Sequence, residues 1–138
     1  MKWAGDNYLS AMKMTNHEPT ASNLTVALTA DLLFASRVKS TASAVGARVQ
    51  LVRTADEMVR AAKQESPALI VIDLDIRTLD PIELIKRLRA EAEPVSAPIL
   101  AYVSHVREDL IAAAREAGAD QVMARGAFAK NLAAILSG

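Results

Sequence analysis

Two aspartates spaced one apart, Asp73 and Asp75, follow the apolar run Ala68-Leu69-Ile70-Val71-Ile72. An ionised carboxylate cannot sit in the core that such a run builds without a partner, so Asp73 is expected where the run reaches its accessible end. Asp31 closes an earlier apolar segment after Thr29 and Ala30, Ser104 and His105 close a third, and Arg125 closes a fourth. Two carboxylates brought together repel unless a proton or a cation lies between them. A hard divalent ion, Mg2+ foremost, takes oxygen ligands and keeps several waters, which makes Asp31 and Asp73 a candidate metal pair. Arg125 offers a planar fork of donors to the far side of an anion such as a phosphoryl group. Ser104 and His105 adjoin, but their side chains would diverge, so they do not form a nucleophile–base pair.

The elements that must position these groups alternate regularly. Leu24–Thr29 reads as a first strand, and Phe34, Val38, Thr41/Ala42 and Val45 then recur at helical spacing before Gly46. Arg48–Val52 is a second strand, and Thr54 with Glu57 forms a capping box over a helix that buries Ala55, Met58, Val59 and Ala62. The run ending at Asp73 is the third strand, continuous enough in its apolar character to be buried on both faces. Asp80-Pro81-Ile82-Glu83 opens a helix with an acidic cap and a first-turn proline, burying Leu84, Ile85 and Leu88. Arg87, Arg89, Glu91 and Glu93 read as a solvated helix end and linker. Ile99–Val103 is the fourth strand. A helix with Leu110, Ile111, Ala114 and Ala117 then stops at Gly118, Asp120–Ala124 is the fifth strand, and Phe128, Leu132, Ile135 and Leu136 line one last helix. Buried strands alternating with amphipathic helices predict a parallel sheet with helices on both faces. In strand order 2-1-3-4-5 the first and third strands meet at the topological switch point, and Asp31 and Asp73 share its crevice.

Bulk properties narrow the function classes. The 138 residues are 51% hydrophobic with a formal net charge of +0. That is a chain able to build one core, with no electrostatic footprint for nucleic acid or for an anionic membrane. Cysteine is absent, which excludes disulfides and thiolate chemistry and suits a cytoplasmic location. No apolar run is long enough to span a bilayer, and the N-terminus lacks a secretory pattern. Residues 1–23 read as a leader or linker, and 24–138 as the folded domain.

From Leu24 onward the chain resembles a response-regulator receiver domain, the chemotaxis-regulator-like phosphoacceptor module of two-component signalling. The segment from Pro67 through Asp73 to Leu79-Asp80-Pro81 runs in step with that family's phosphoacceptor strand and loop. The resemblance implies a single doubly wound, flavodoxin-like (βα)5 domain with sheet order 2-1-3-4-5. It implies that Asp73 is the phosphoacceptor, that Asp31 and the backbone carbonyl of Asp75 bind Mg2+ together with Asp73, and that Arg125 contacts the phosphoryl group. It further implies a sensor histidine kinase or other signalling protein as partner. A homodimer through the fourth helix, fifth strand and fifth helix, around Val106, Ala113, Val122 and Phe128, is also implied.

Several positions depart from the family pattern. Ala30 replaces the first residue of an acidic pair, Val103 replaces a hydroxyl residue, and Val122 replaces the aromatic that many receivers carry. Arg125 replaces a lysine, Gly126 replaces a proline, and Ser104 offers a hydroxyl one residue late. The expectation is therefore a stand-alone, degenerate receiver-like signalling domain, not an enzyme beyond accepting and losing its own phosphoryl group. The first alternative is a pseudo-receiver that binds its partner without phosphorylation. The second is a small aspartate-nucleophile phosphatase, since Asp73-Leu74-Asp75 also resembles the first motif of the haloacid-dehalogenase type. Blander roles stand beside these: Asp31 as a helix cap, Asp73 paired with Arg125, Asp75 as a solvated loop residue, and His105 as solvent-facing.

Overall fold

The computed structural model describes residues 22–91, 94–105 and 107–138. Most of the expected leader and Val106 thus lie outside the described residues. Asn23, assigned to the leader by its sequence, is tied to the domain: its side chain bonds the Gly46 carbonyl and the Arg48 guanidinium.

Five parallel strands, β1 (Leu24–Leu28), β2 (Arg48–Val52), β3 (Leu69–Asp73), β4 (Ile99–Val103) and β5 (Gln121–Ala124), form one sheet in the order β2-β1-β3-β4-β5. Six helices lie between and after them: α1 (Leu32–Ala44), α2 (Ala55–Glu65), α3 (Pro81–Ala90), α4 (Glu108–Ala117), α5 (Arg125–Lys130) and α6 (Leu132–Ser137). The doubly wound α/β expectation holds. The strands feed two separate cores because their side chains alternate. Val26, Leu28, Ile70, Ile72, Ile99, Ala101 and Val103 pack with α2, α3 and α4 on one face. Ala27, Leu69, Val71, Leu100 and Tyr102 pack with α1, α5 and α6 on the other. The central strands β1, β3 and β4 are buried along their whole length, as continuous apolar runs in a parallel sheet should be.

Local signals account for the helix starts. Thr54 Oγ1 accepts the Glu57 N–H at 3.0 Å, and Asp80 Oδ1 accepts the N–H groups of Ile82 and Glu83. Val45 departs from its expected place on the buried face. It is 37% exposed because α1 ends at Ala44, and the chain then turns through Gly46 at φ +73°. The last helix is two. The break falls at Asn131, whose φ of −104° and ψ of 13° leave the helical region; its side chain donates to the Ala127 carbonyl at 2.8 Å.

Arg89 is not part of a solvated helix end. Its guanidinium donates to the carbonyls of Val95, Ala97 and Gly118 and to Asp120 Oδ2, and Asp120 in turn accepts the Ile99 N–H. One side chain thereby joins α3, the segment before β4 and the start of β5. No helix among the described residues is long and apolar enough to cross a membrane.

Candidate functional site

The carboxyl ends of β1 and β3 meet at the switch point of the sheet, where ligands bind in open α/β folds. Asp73 closes β3 and is 4% exposed. Its carboxylate is surrounded by donors from the protein. Oδ1 accepts the Asp75 N–H at 2.8 Å, and Oδ2 accepts the Ala30 N–H at 3.2 Å and the Thr29 hydroxyl at 3.4 Å.

The strand pleat explains why Thr29 is there. Ala27, Val71 and Leu100 face the α1/α5/α6 core, and two residues further along each strand lie Thr29, Asp73 and Tyr102. Asp73 and Tyr102 are register partners across β3 and β4. The Tyr102 hydroxyl donates to Thr29 Oγ1 at 2.7 Å, which completes a chain Tyr102–Thr29–Asp73. Burial, with the Asp73 charge adding to it, pushes the Tyr102 phenol above the ordinary tyrosine range, so it remains a neutral donor.

Asp31 is engaged separately. Oδ1 accepts the N–H groups of Leu33 and Phe34 at 2.9 and 3.1 Å, capping α1. Oδ2 accepts the Arg125 Nη2 at 2.6 Å. The cap role and the site role are therefore filled by one carboxylate. Arg125 opens α5, and its guanidinium carbon lies 4.8 Å from the centroid of the Phe34 ring, a cation–π contact. The hydrogen bond from Arg125, helped by the α1 N–H groups, holds the Asp31 carboxyl below its ordinary value, and the same bond raises Arg125. Phe34 meets Tyr102 edge-on at 5.4 Å, and Phe128 stacks on Tyr102 at 4.9 Å with planes 8° apart. Phe128, expected on a partner-binding surface, is 1% exposed for that reason.

The remaining residues read from the sequence take other positions. Arg125 hydrogen-bonds Asp31 rather than Asp73. Asp75, expected to be solvated, accepts the Ser104 N–H on Oδ2 at 2.7 Å and so clasps the end of β4. Ser104 contributes its backbone there while its side chain is exposed, and His105 is exposed as expected. Val103 is 1% exposed in the α2/α3/α4 core. Sequence reasoning missed Thr29, Phe34 and Tyr102 as parts of the site. No local pattern marks them; only in the fold do three of the chain's four Phe and Tyr rings converge here.

A family model of the response regulator receiver domain matches residues 30–137. The chain belongs to this family. Solved receiver structures share its fold. The chemotaxis response regulator CheY4 of Vibrio cholerae is 16% identical, with 84% of this chain and 97% of that one covered and a TM-score of 0.72. The receiver domain of a sensor histidine kinase from Pseudomonas aeruginosa, described with a magnesium ion in its active-site cleft, is 21% identical. That match covers 84% of this chain and 95% of the other, with a TM-score of 0.71. A response regulator from Burkholderia pseudomallei with a phosphorylated aspartic acid and a calcium ion is 22% identical, over 82% of this chain and 65% of that one, at a TM-score of 0.70. No curated protein matches the chain in sequence.

The carboxylates expected around a divalent ion are engaged within the protein in this structure. Both Asp31 oxygens are committed, one to its helix and one to Arg125. Ala30 brings a methyl group where a second carboxylate would stand, and the Asp75 carboxylate is turned to Ser104. Among the described residues, no three His, Cys, Asp or Glu side chains are grouped to hold a metal.

Proposed function

We propose that this receiver domain of the two-component type acts as a pseudo-receiver. It binds a sensor histidine kinase or other signalling protein through its surface, without waiting for a phosphoryl group on Asp73. The observation that carries this reading is the Asp31–Arg125 bond at 2.6 Å. It supplies a positive charge to the crevice from the protein itself, so the resting site needs no outside cation to offset Asp31. The donors around Asp73 support the same reading. Three groups of the fold already occupy its oxygens, and the carboxylate serves to join β1, β3 and the loop after β3.

A second reading rests on the place of Asp73 at the carboxyl end of the central strand, beside main-chain N–H groups from Ala30 and Asp75. In that reading Asp73 accepts a phosphoryl group, Arg125 leaves Asp31 to contact it, and Ser104 lends its hydroxyl. Mg2+ would then be held by Asp31, Asp73 and the Asp75 carbonyl. Incubation with acetyl phosphate and magnesium chloride, followed by intact-mass measurement, separates the two. The pseudo-receiver gains no phosphoryl adduct, and Asp73→Asn retains partner binding. A stoichiometric adduct that Asp73→Asn abolishes overturns the proposal in favour of the second reading.

A further inference from the structure

We propose that the outward face of α1, with the end of α5 beside it, is a docking surface for an anionic lipid membrane. The formal net charge of +0 gives the sum of the charges and not their placement. Between Asp31 and Asp56 the chain carries Arg37, Lys39, Arg48 and Arg53 and no acidic side chain. After Asp120 it carries Arg125 and Lys130 and again no Asp or Glu. Those stretches supply the edge strand β2 and the helices α1, α5 and α6, which cover one face of the sheet. The helices of the other face all open on acidic residues: Asp56 and Glu57 in α2, Glu83 in α3, Glu108 and Asp109 in α4. A chain that is neutral in sum is thus polarised across its sheet.

The basic side also carries the apolar side chains that the fold leaves uncovered. Leu32 and Leu33 are 76% and 84% exposed, and with Val45 they are the exposed large apolar residues among those described. All three belong to α1 or its C-terminal cap. Helical spacing sets Leu33 in line with Arg37, and Leu32 in line with Ser36 and Lys39, away from the buried Phe34, Ala35, Val38 and Ala42. Arg37 Nη2 donates to the Ala129 carbonyl at 3.4 Å, so α5, which ends at the exposed Lys130, adjoins the same surface. Protruding leucines on a basic surface suit a bilayer: the apolar side chains enter the boundary below the headgroups, and the cations meet the lipid phosphates. The shape of the face separates this ligand from other anions. The outside of a helix is a ridge, whereas an acidic partner helix is received by a groove. A nucleic acid would leave the leucine pair in water and find no ring to stack on, since Phe34 and Phe128 are buried.

Co-sedimentation of the full chain with lipid vesicles tests the proposal. The chain should sediment with vesicles of phosphatidylcholine and phosphatidylglycerol in equal parts, stay in solution with phosphatidylcholine alone, and be released as salt is raised. Lys39→Gln/Lys130→Gln should weaken binding by about 25-fold, at roughly 5-fold for each cation near an anionic surface. Leu32→Ser/Leu33→Ser should weaken it by about 10-fold or more. All four side chains are exposed, and far-UV circular dichroism checks that both variants are folded. Lys86→Gln/Arg115→Gln removes the same charge from α3 and α4, on the opposite side, and should leave binding unchanged. Absence of sedimentation with the anionic vesicles overturns the proposal. Equal losses in the two charge variants overturn it too, because the attraction would then be one of net charge and not of this face. A folded leucine variant that binds like the native chain does the same. Retention of the chain on an acidic helical peptide, with none on vesicles, would assign the face to a protein partner instead. None of these outcomes depends on whether Asp73 accepts a phosphoryl group.

Discussion

Replacing Tyr102 by phenylalanine removes one oxygen atom from the interior and nothing else. The ring keeps its stacking on Phe128 and its edge contact with Phe34, so no cavity opens. What is lost is the hydrogen bond to Thr29 Oγ1 at 2.7 Å. The Thr29 oxygen is not orphaned by the change, because it still accepts the Asp31 N–H at 3.4 Å and donates to Asp73. The cost should therefore be that of one net buried hydrogen bond, about 1 kcal/mol, and not the larger penalty of a stranded polar group. For a domain of this size that lowers Tm by roughly 4 °C. Tyr102→Ala, which empties the ring's place, should cost about 3–5 kcal/mol. Thermal and urea unfolding followed by far-UV circular dichroism measure both. The variant Thr29→Val and the double variant Thr29→Val/Tyr102→Phe complete a cycle. If the two hydroxyls act through each other, the double variant loses about 1 kcal/mol less than the sum of the single ones. A neutral Tyr102→Phe, or strictly additive losses, refutes the Tyr102–Thr29–Asp73 chain.

The Asp31 carboxyl is held below its ordinary value of 3.8, first by the Arg125 hydrogen bond and then by the α1 N–H groups. A depressed folded-state value means its contribution to stability is complete above the unfolded value and is lost as pH falls through the folded one. Carboxyl NMR titration should place Asp31 below 3.8, and Asp31→Asn should flatten stability on the acid side; a value at or above 3.8 contradicts the ion pair. Gly118→Ala should destabilise by about 2 kcal/mol or more, since it forces a side chain to a strained positive φ. The added Cβ would stand 2.5 Å from Arg89 Cγ, a side chain pinned by four bonds. Gly46→Ala, at φ +73° with nothing within 4 Å of its Cβ, should cost only about 1 kcal/mol in the same unfolding assay. Equal losses at the two glycines would remove the case for Arg89 as a rigid node.

The order of elements was legible because strand and helix periods do not resemble each other: a run such as Leu69–Ile72 has no helical stripe, and Met58, Val59 and Ala62 have no alternation. The caps at Thr54 and Asp80 were legible for a local reason, since each acts within three residues of itself. Two strand boundaries shifted by one residue: Thr29 lies just past β1 with its side chain bonded to Asp73, and Asp120 lies just before β5, its N–H bonded to the Ile99 carbonyl and its carboxylate to the Ile99 N–H and Arg89.

The site was only half legible. That Asp31, Asp73 and Arg125 gather at the strand ends follows from topology. Which carboxylate takes the guanidinium does not, because that depends on α5 beginning at Arg125 and on Phe34 offering a ring face. Tyr102 was hidden by its surroundings. In a strand of aliphatic residues it counts as core, and only the register Asp73↔Tyr102 turns its hydroxyl into part of the site. Arg89 misled for the opposite reason: a charged residue late in a helix is normally solvated, but here the returning chain at Val95 and Ala97 folds carbonyls over it.

The measurement that tests the central claim most directly is an amide NMR titration of the native chain with beryllofluoride, a phosphoryl mimic, in the presence of magnesium chloride. The account predicts no saturable shifts at Ala30, Asp31, Asp73 and Asp75, and none at Tyr102, Arg125 or Phe128, because the Asp31–Arg125 bond and the donors on Asp73 leave the mimic no carboxylate to join. Saturable shifts at Asp73 that spread through Tyr102 to Arg125 and Phe128 would contradict it and mark the domain as a working phosphoacceptor.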